Sequence, residues 1–140
     1  MRHLILPIVL AVIGSNFGCG RPHTSIVGKW VHSFGSNRSS GMVYEFYSDG
    51  TMTHYSQVDL RSQLPQAGVM SSPKFNGIYT FKQGVLTYHP TSIGNKGLAE
   101  ALPNVTAVDK TYKAVLSSET LTLSQVLPLR NGPEEEYQRQ

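Results

Sequence analysis

The 140-residue chain has a single cysteine, Cys19, and a single tryptophan, Trp30. One cysteine permits no disulfide within the chain, so the fold must hold together by packing alone. Charge is also sparse, with Asp, Glu, Lys and Arg making up 15% of the residues. The twelve Lys and Arg form no run and no dense stripe. That scatter argues against the continuous positive footprint of a nucleic-acid binder. The five histidines, His3, His23, His32, His54 and His89, contain no pair at a metal-ligand spacing. No serine sits in a nucleophile-elbow context, and no Gly-rich phosphate loop precedes a helix. We therefore expect neither an enzyme nor a bound metal or cofactor.

What the chain does have is Gly, Ser, Thr and Tyr, a mixture that suits strands and turns better than helices. The N-terminus is an exception. Met1-Arg2-His3 is positively charged, Leu4 to Ile13 is apolar apart from Pro7, and small residues follow at Gly14, Ser15 and Gly18. About ten apolar residues are too few to span a bilayer, so this reads as an export signal. Cys19 stands directly after Gly18 at the expected cleavage point. That placement resembles the lipobox of bacterial lipoproteins, whose cysteine becomes the lipidated first residue. We expect a signal peptide over 1–18, a lipidated tether over 19–25, and a membrane-anchored protein of the bacterial cell envelope. The competing reading makes Cys19 an incidental residue beside an ordinary cleavage site.

The rest of the chain reads around Tyr44 to Tyr55, YEFYSDGTMTHY. Asp49-Gly50 between alternating apolar positions signals a hairpin. A two-residue loop would put Phe46 opposite Thr53. A three-residue loop, with Gly50 left-handed, would put Phe46 opposite Met52 and Tyr44 opposite His54. The second register matches apolar with apolar and is the one predicted. Further strands are read at Ile26–Phe34, Phe75–Phe81, Val85–His89, Val105–Leu116 and Thr120–Val126. The strand from Val105 is read as bulged, because its alternation changes phase near Asp109. Asp59–Lys74 and Pro90–Pro103 read as long connections, the latter with a turn of helix near Gly97–Leu102. Residues 131–140, with Pro133 and three consecutive glutamates, read as a disordered tail. The expectation is an all-β domain over 26–130. Its seven or eight strands form an antiparallel up-and-down meander, closed into a small barrel or half-barrel that hides its edges. A sandwich is the competing architecture.

Four motifs occur in order: Gly28-Lys29-Trp30, Phe46 before Asp49-Gly50-Thr51, Gly77-Ile78-Tyr79, and Leu121-Thr122-Leu123. Together they resemble the bacterial lipocalin-like domains. The resemblance implies a calycin-type barrel, often on an exported lipoprotein and usually of unassigned function. It also implies that Trp30 closes the bottom of the barrel, a structural role; Phe46 and Gly50 of the hairpin are read as structural too.

The tyrosines are the better functional lead. Tyr44, Tyr47, Tyr55, Tyr79, Tyr88 and Tyr112 all fall in the expected strands. Three or more on one concave face would offer flat, amphipathic contact to a small hydrophobic or aromatic ligand. The expected site is a barrel mouth covered by the two long connections. Leu64, Met70 and Leu98 would form its lid, Tyr55, Tyr79 and Tyr88 would lie below, and His54 or His89 would be a polar handle. The other reading is a monomeric cell-envelope interaction module, an inhibitor or assembly partner, with a filled interior. A Glu–His pair between Glu45 and His54 is weighed and set below an ordinary cross-strand contact.

If Cys19 carries the lipid, metabolic labelling with a fatty acid marks the wild type and leaves Cys19→Ala unlabelled. Equal label in both overturns lipidation at this residue.

Overall fold

The computed structural model describes residues 25–35, 40–61, 63–104, 106–128 and 132–140. The expected signal peptide and Cys19 lie outside the described residues. Alternating stretches become strands β1 (Gly28–Ser33), β2 (Gly41–Phe46), β3 (Thr51–Asp59), β4 (Val69–Ser71), β5 (Phe75–Lys82), β6 (Val85–Ile93) and β7 (Lys96–Gly97). One short helix follows, α1 (Leu98–Ala101), then β8 (Lys110–Leu116), β9 (Thr120–Leu127) and β10 (Glu134–Arg139). Strands β1, β2, β3, β5, β6, β8, β9 and β10 pair antiparallel in that order, and β10 returns to β1. The result is a closed barrel. β4 and β7 are short additions to β3 and β6.

Turn chemistry sets the register at one end. Phe46 lies opposite Met52 and Tyr44 opposite His54, as in the three-residue-loop register. Gly50 has φ +85°, a conformation that costs other residues because of their Cβ. The Asp49 carboxylate accepts from the Thr51 amide at 2.9 Å and its hydroxyl at 2.6 Å, holding the loop shut. Gln83-Gly84 joins β5 to β6 with both residues at positive φ, as a two-residue hairpin matched to strand twist requires.

Side chains that alternate inward share one core. Trp30, Phe46, Met52, Leu86, Leu121 and Tyr137 are buried there, and Tyr79 packs against them. The Trp30 indole donates to the Ile26 carbonyl at 2.8 Å. The Arg139 guanidinium lies over its ring at 4.4 Å, so the last strand caps the first at this end. On the opposite face, Val31, Val43 and Tyr55 fall in one cross-strand row and form a second, smaller cluster.

Several expectations are corrected. The glutamate-rich tail is not disordered: Glu134–Arg139 is β10, paired on both sides. Its composition looks solvated, but the sheet gives each inward polar residue a partner. Glu135 accepts from the Tyr137 hydroxyl at 2.6 Å, and Arg139 stacks on Trp30. The Asp59–Lys74 connection contains β4, which extends the end of β3. β6 runs on through Pro90 to Ile93, leaving a shorter connection than Pro90–Pro103. β8 begins only at Lys110, and its irregularity against β9 falls between Thr111 and Tyr112. The helical turn forms at Leu98–Ala101.

Trp30 is fully buried. Trp30→Ala should therefore cost about 3–5 kcal/mol, from lost burial plus the cavity left behind. Urea melts of the two proteins measure this, and a difference under about 1 kcal/mol would mean that the ring contributes little to the core.

Candidate functional site

All three tight turns of the barrel lie at the Trp30 end, so the longer connections gather at the other. There the wall parts. β6 pairs with β8 only from Val85 to Tyr88, yet stays beside β5 as far as Ile93. Pro90 has no N–H to offer a second neighbour, and the β5–β6 register shifts between Asn76 and Gly77. Beyond Tyr88 the gap between β6 and β8 is roofed by α1 and the segment leading into β8. Beneath that roof is a cavity of 330 Å³, walled by Phe75, Tyr88, Pro90, Leu98 and Leu102. His54 and Lys110 line it as well. Gly77 makes room for this wall, because a Cβ there would collide with the Tyr88 ring and the His89 carbonyl.

A second compartment of 320 Å³ lies against the same His54 and Lys110. Its lining is more polar and includes Tyr44, Tyr112, Tyr137, His32 and Glu135. The Tyr44 and Tyr137 rings meet edge to face with centroids 5.2 Å apart. The His32 Nδ1–H donates to the Glu136 carbonyl at 2.8 Å, which sets its tautomer. Burial, followed by neighbouring phenols, pushes ionisation of Tyr44 far upward. Burial also raises Tyr137, with its bond to Glu135 adding to the effect. These hydroxyls are therefore neutral donors at physiological pH.

His54 stands between the compartments, held by aromatic rings. It stacks on Phe75 at 4.9 Å and on Tyr44 at 5.4 Å, and meets Tyr88 edge-on at 5.4 Å. Burial, and secondarily the Lys110 charge, lower its pKa from 6.5 to about 4. The ring is thus neutral at pH 7. Its Nδ1 is buried without a hydrogen-bond partner, an uncommon and costly condition. Among the described residues, no carboxylate lies within ion-pair distance of Lys110. Those residues also hold no group of three or more metal-ligating side chains.

Of the residues read from sequence, His54, Tyr88 and Leu98 come together at this cavity. The others are placed elsewhere. Tyr55 faces outward and donates to Glu45 at 2.8 Å. Tyr79 lies toward the Trp30 end, its hydroxyl donating to the Tyr47 carbonyl at 2.9 Å. His89 points outward and pairs with Asp109. Leu64 and Met70 are exposed on the β3–β4 extension and cover no opening. Glu45 lies on the outer face, where Tyr47 also donates to it at 2.7 Å, so it makes no pair with His54. Sequence reasoning missed Lys110, Phe75 and Leu102 in the apolar cavity. It also missed Tyr137 and Glu135, hidden in the glutamate-rich tail. The inward alternation Glu135, Tyr137, Arg139 was the available signal.

No family model matches this chain, and no curated protein does. A solved structure that it resembles is an uncharacterised protein from Bacteroides eggerthii, with a TM-score of 0.51 and 17% identity. The likeness covers 83% of this chain and 100% of that one. At that identity it is a likeness of fold alone.

The state of His54 makes stability depend on pH. Its folded pKa lies below the unfolded value, so the unfolded chain takes up the proton first as pH falls. Stability from this group therefore declines from pH about 6.5 to about 4, by about 3 kcal/mol in total, and levels off below. His54→Phe keeps a ring in the stack and removes the titration. Urea melts across this range should show a shallower decline in the variant, and identical slopes would overturn the assignment.

Proposed function

We propose that this protein is an exported, lipid-anchored, lipocalin-like barrel that binds a small hydrophobic or aromatic ligand without chemical change. The observation that carries the reading is the pair of adjoining cavities at the open end, with His54 in its aromatic stack between them. Concave, largely apolar sites with a few convergent polar groups are the usual form of small-molecule sites. At the other end Trp30 is fully buried beneath Arg139. Export and anchoring rest on the N-terminal pattern and Cys19.

A second reading, a protein-interaction module of the envelope, is favoured by one observation. Leu64, Val69 and Met70 are all more than half exposed on the β3–β4 extension. Exposed apolar side chains mark docking surfaces where they form a patch.

Thermal shift against fatty acids, aromatic acids and their uncharged analogues separates the two readings. A ligand at about 100 times its Kd should stabilise the fold by roughly 2.7 kcal/mol, a shift of several degrees. Leu98→Glu places a carboxylate in the apolar wall and should abolish the shift. If no compound stabilises the protein, or if Leu98→Glu responds like wild type, the cavity is not the site and the interaction reading gains.

A further inference from the structure

We propose that the cavity beneath α1 takes a small monocarboxylic acid, with the carboxylate on Lys110 and His54 and the apolar body against Phe75, Leu98 and Leu102. This rests on the reading of the cavity as a ligand site and names the chemical class of its ligand.

The argument begins with charge. Among the described residues, Lys110 is the one charged side chain lining this cavity, and no carboxylate lies within ion-pair distance of it. It is half-buried, lines both compartments, and stands in register opposite the buried Tyr88. A lysine in such a place binds an anion as a point charge, and partial burial strengthens the attraction over that in water.

The second observation is independent of the first. The His54 imidazole is fixed in orientation by rings on both faces, and its buried Nδ1 has no partner. A buried ring nitrogen of this kind is completed by whatever enters the cavity. As an N–H it donates to a carboxylate oxygen, while Lys110 supplies the counter-charge.

The third is the composition of the remaining wall, which is hydrocarbon, aromatic ring and threonine methyl or hydroxyl. It offers no second cation for a phosphate or a dicarboxylate. A cavity of 330 Å³ limits the body to a short alkyl chain or one aromatic ring. The adjoining compartment does not compete for the acid. Glu135 stands there with its carboxylate held by Tyr137, and would repel a second negative charge.

Short-chain fatty acids and arylalkanoic acids share this chemistry, and calorimetric titration distinguishes them. Octanoate and 3-phenylpropionate are each compared with their primary amides at pH 7, on wild type, Lys110→Met and His54→Phe. Lys110→Met keeps the stem and removes the charge. The expected result is that one acid binds wild type on the order of 10- to 100-fold more tightly than its amide. Lys110→Met removes that preference but still binds the amide, and His54→Phe weakens the acid more than the amide. Equal binding of acid and amide would overturn the carboxylate proposal while leaving the ligand reading intact. A preference that survives in both variants would overturn the assigned residues. Failure of all four compounds to bind a folded wild type would overturn both the proposal and the ligand reading beneath it.

Discussion

The pairing of β10 with both β9 and β1 is the contact on which the other features depend. The chain has no disulfide to bring its ends together, so the sheet itself must do so. Glu134–Gln138 pairs along β9, and Gln138 and Arg139 pair with Val31 and Trp30 of β1. Closure hides both edges of the meander and completes the wall over Trp30 with Arg139 and over Leu121 with Tyr137. Without it, Trp30, Leu121 and Leu123 would face water along two unpaired edges, a combination that favours aggregation over folding.

Closing one end tightly leaves the other to carry every long connection. The same economy of turns packs Phe46, Met52 and Leu86 around Trp30, and among the described residues the polar inward positions other than Arg139 gather at the far end. His32, His54, Lys110 and Glu135 all occur there, each on a different strand. The parting of β6 from β8 then decides the shape of the cavity. Had β6 carried an ordinary residue at Pro90 and stayed in step with β8, the wall would have continued upward. Phe75 and Tyr88 would then have packed against it instead of facing a space roofed by α1.

The barrel was legible because its information is local. Alternation, Asp49-Gly50 and Gln83-Gly84 fix strands and register within a few residues of one another, and the predicted hairpin register is the observed one. The closing strand was not legible for the opposite reason. The partner that closes the barrel, β1, is about a hundred residues away, and three consecutive glutamates resemble solvated tail until Tyr137 and Arg139 are seen to alternate inward with Glu135. The site was half legible. His54, Tyr88 and Leu98 sit on elements whose inward face could be read, whereas Lys110 begins a strand whose start was placed five residues too early. Tyr55 and His89 failed because they lie one position from inward residues, and in a strand one position is the other face.

That period of two also shapes the chemistry. The hairpin places Tyr44 and His54 inside, and Glu45 and Tyr55 outside. On the outer face Glu45 is drawn into a wet network. Burial would raise its carboxyl pKa, but hydrogen bonds from Tyr47 and Tyr55, with Lys74 nearby, outweigh it and lower the value. On the inner face His54 is buried among aromatic rings, outside the Glu45 network, and stays neutral. A one-residue slip of β3 would push the imidazole out to the carboxylate's face, and a slip of β2 would bring the carboxylate inward to the imidazole's. The register that lets Phe46 meet Met52 therefore separates Glu45 from the histidine. It leaves on the inner face a neutral ring beside Lys110, with Glu135 engaged by the Tyr137 hydroxyl.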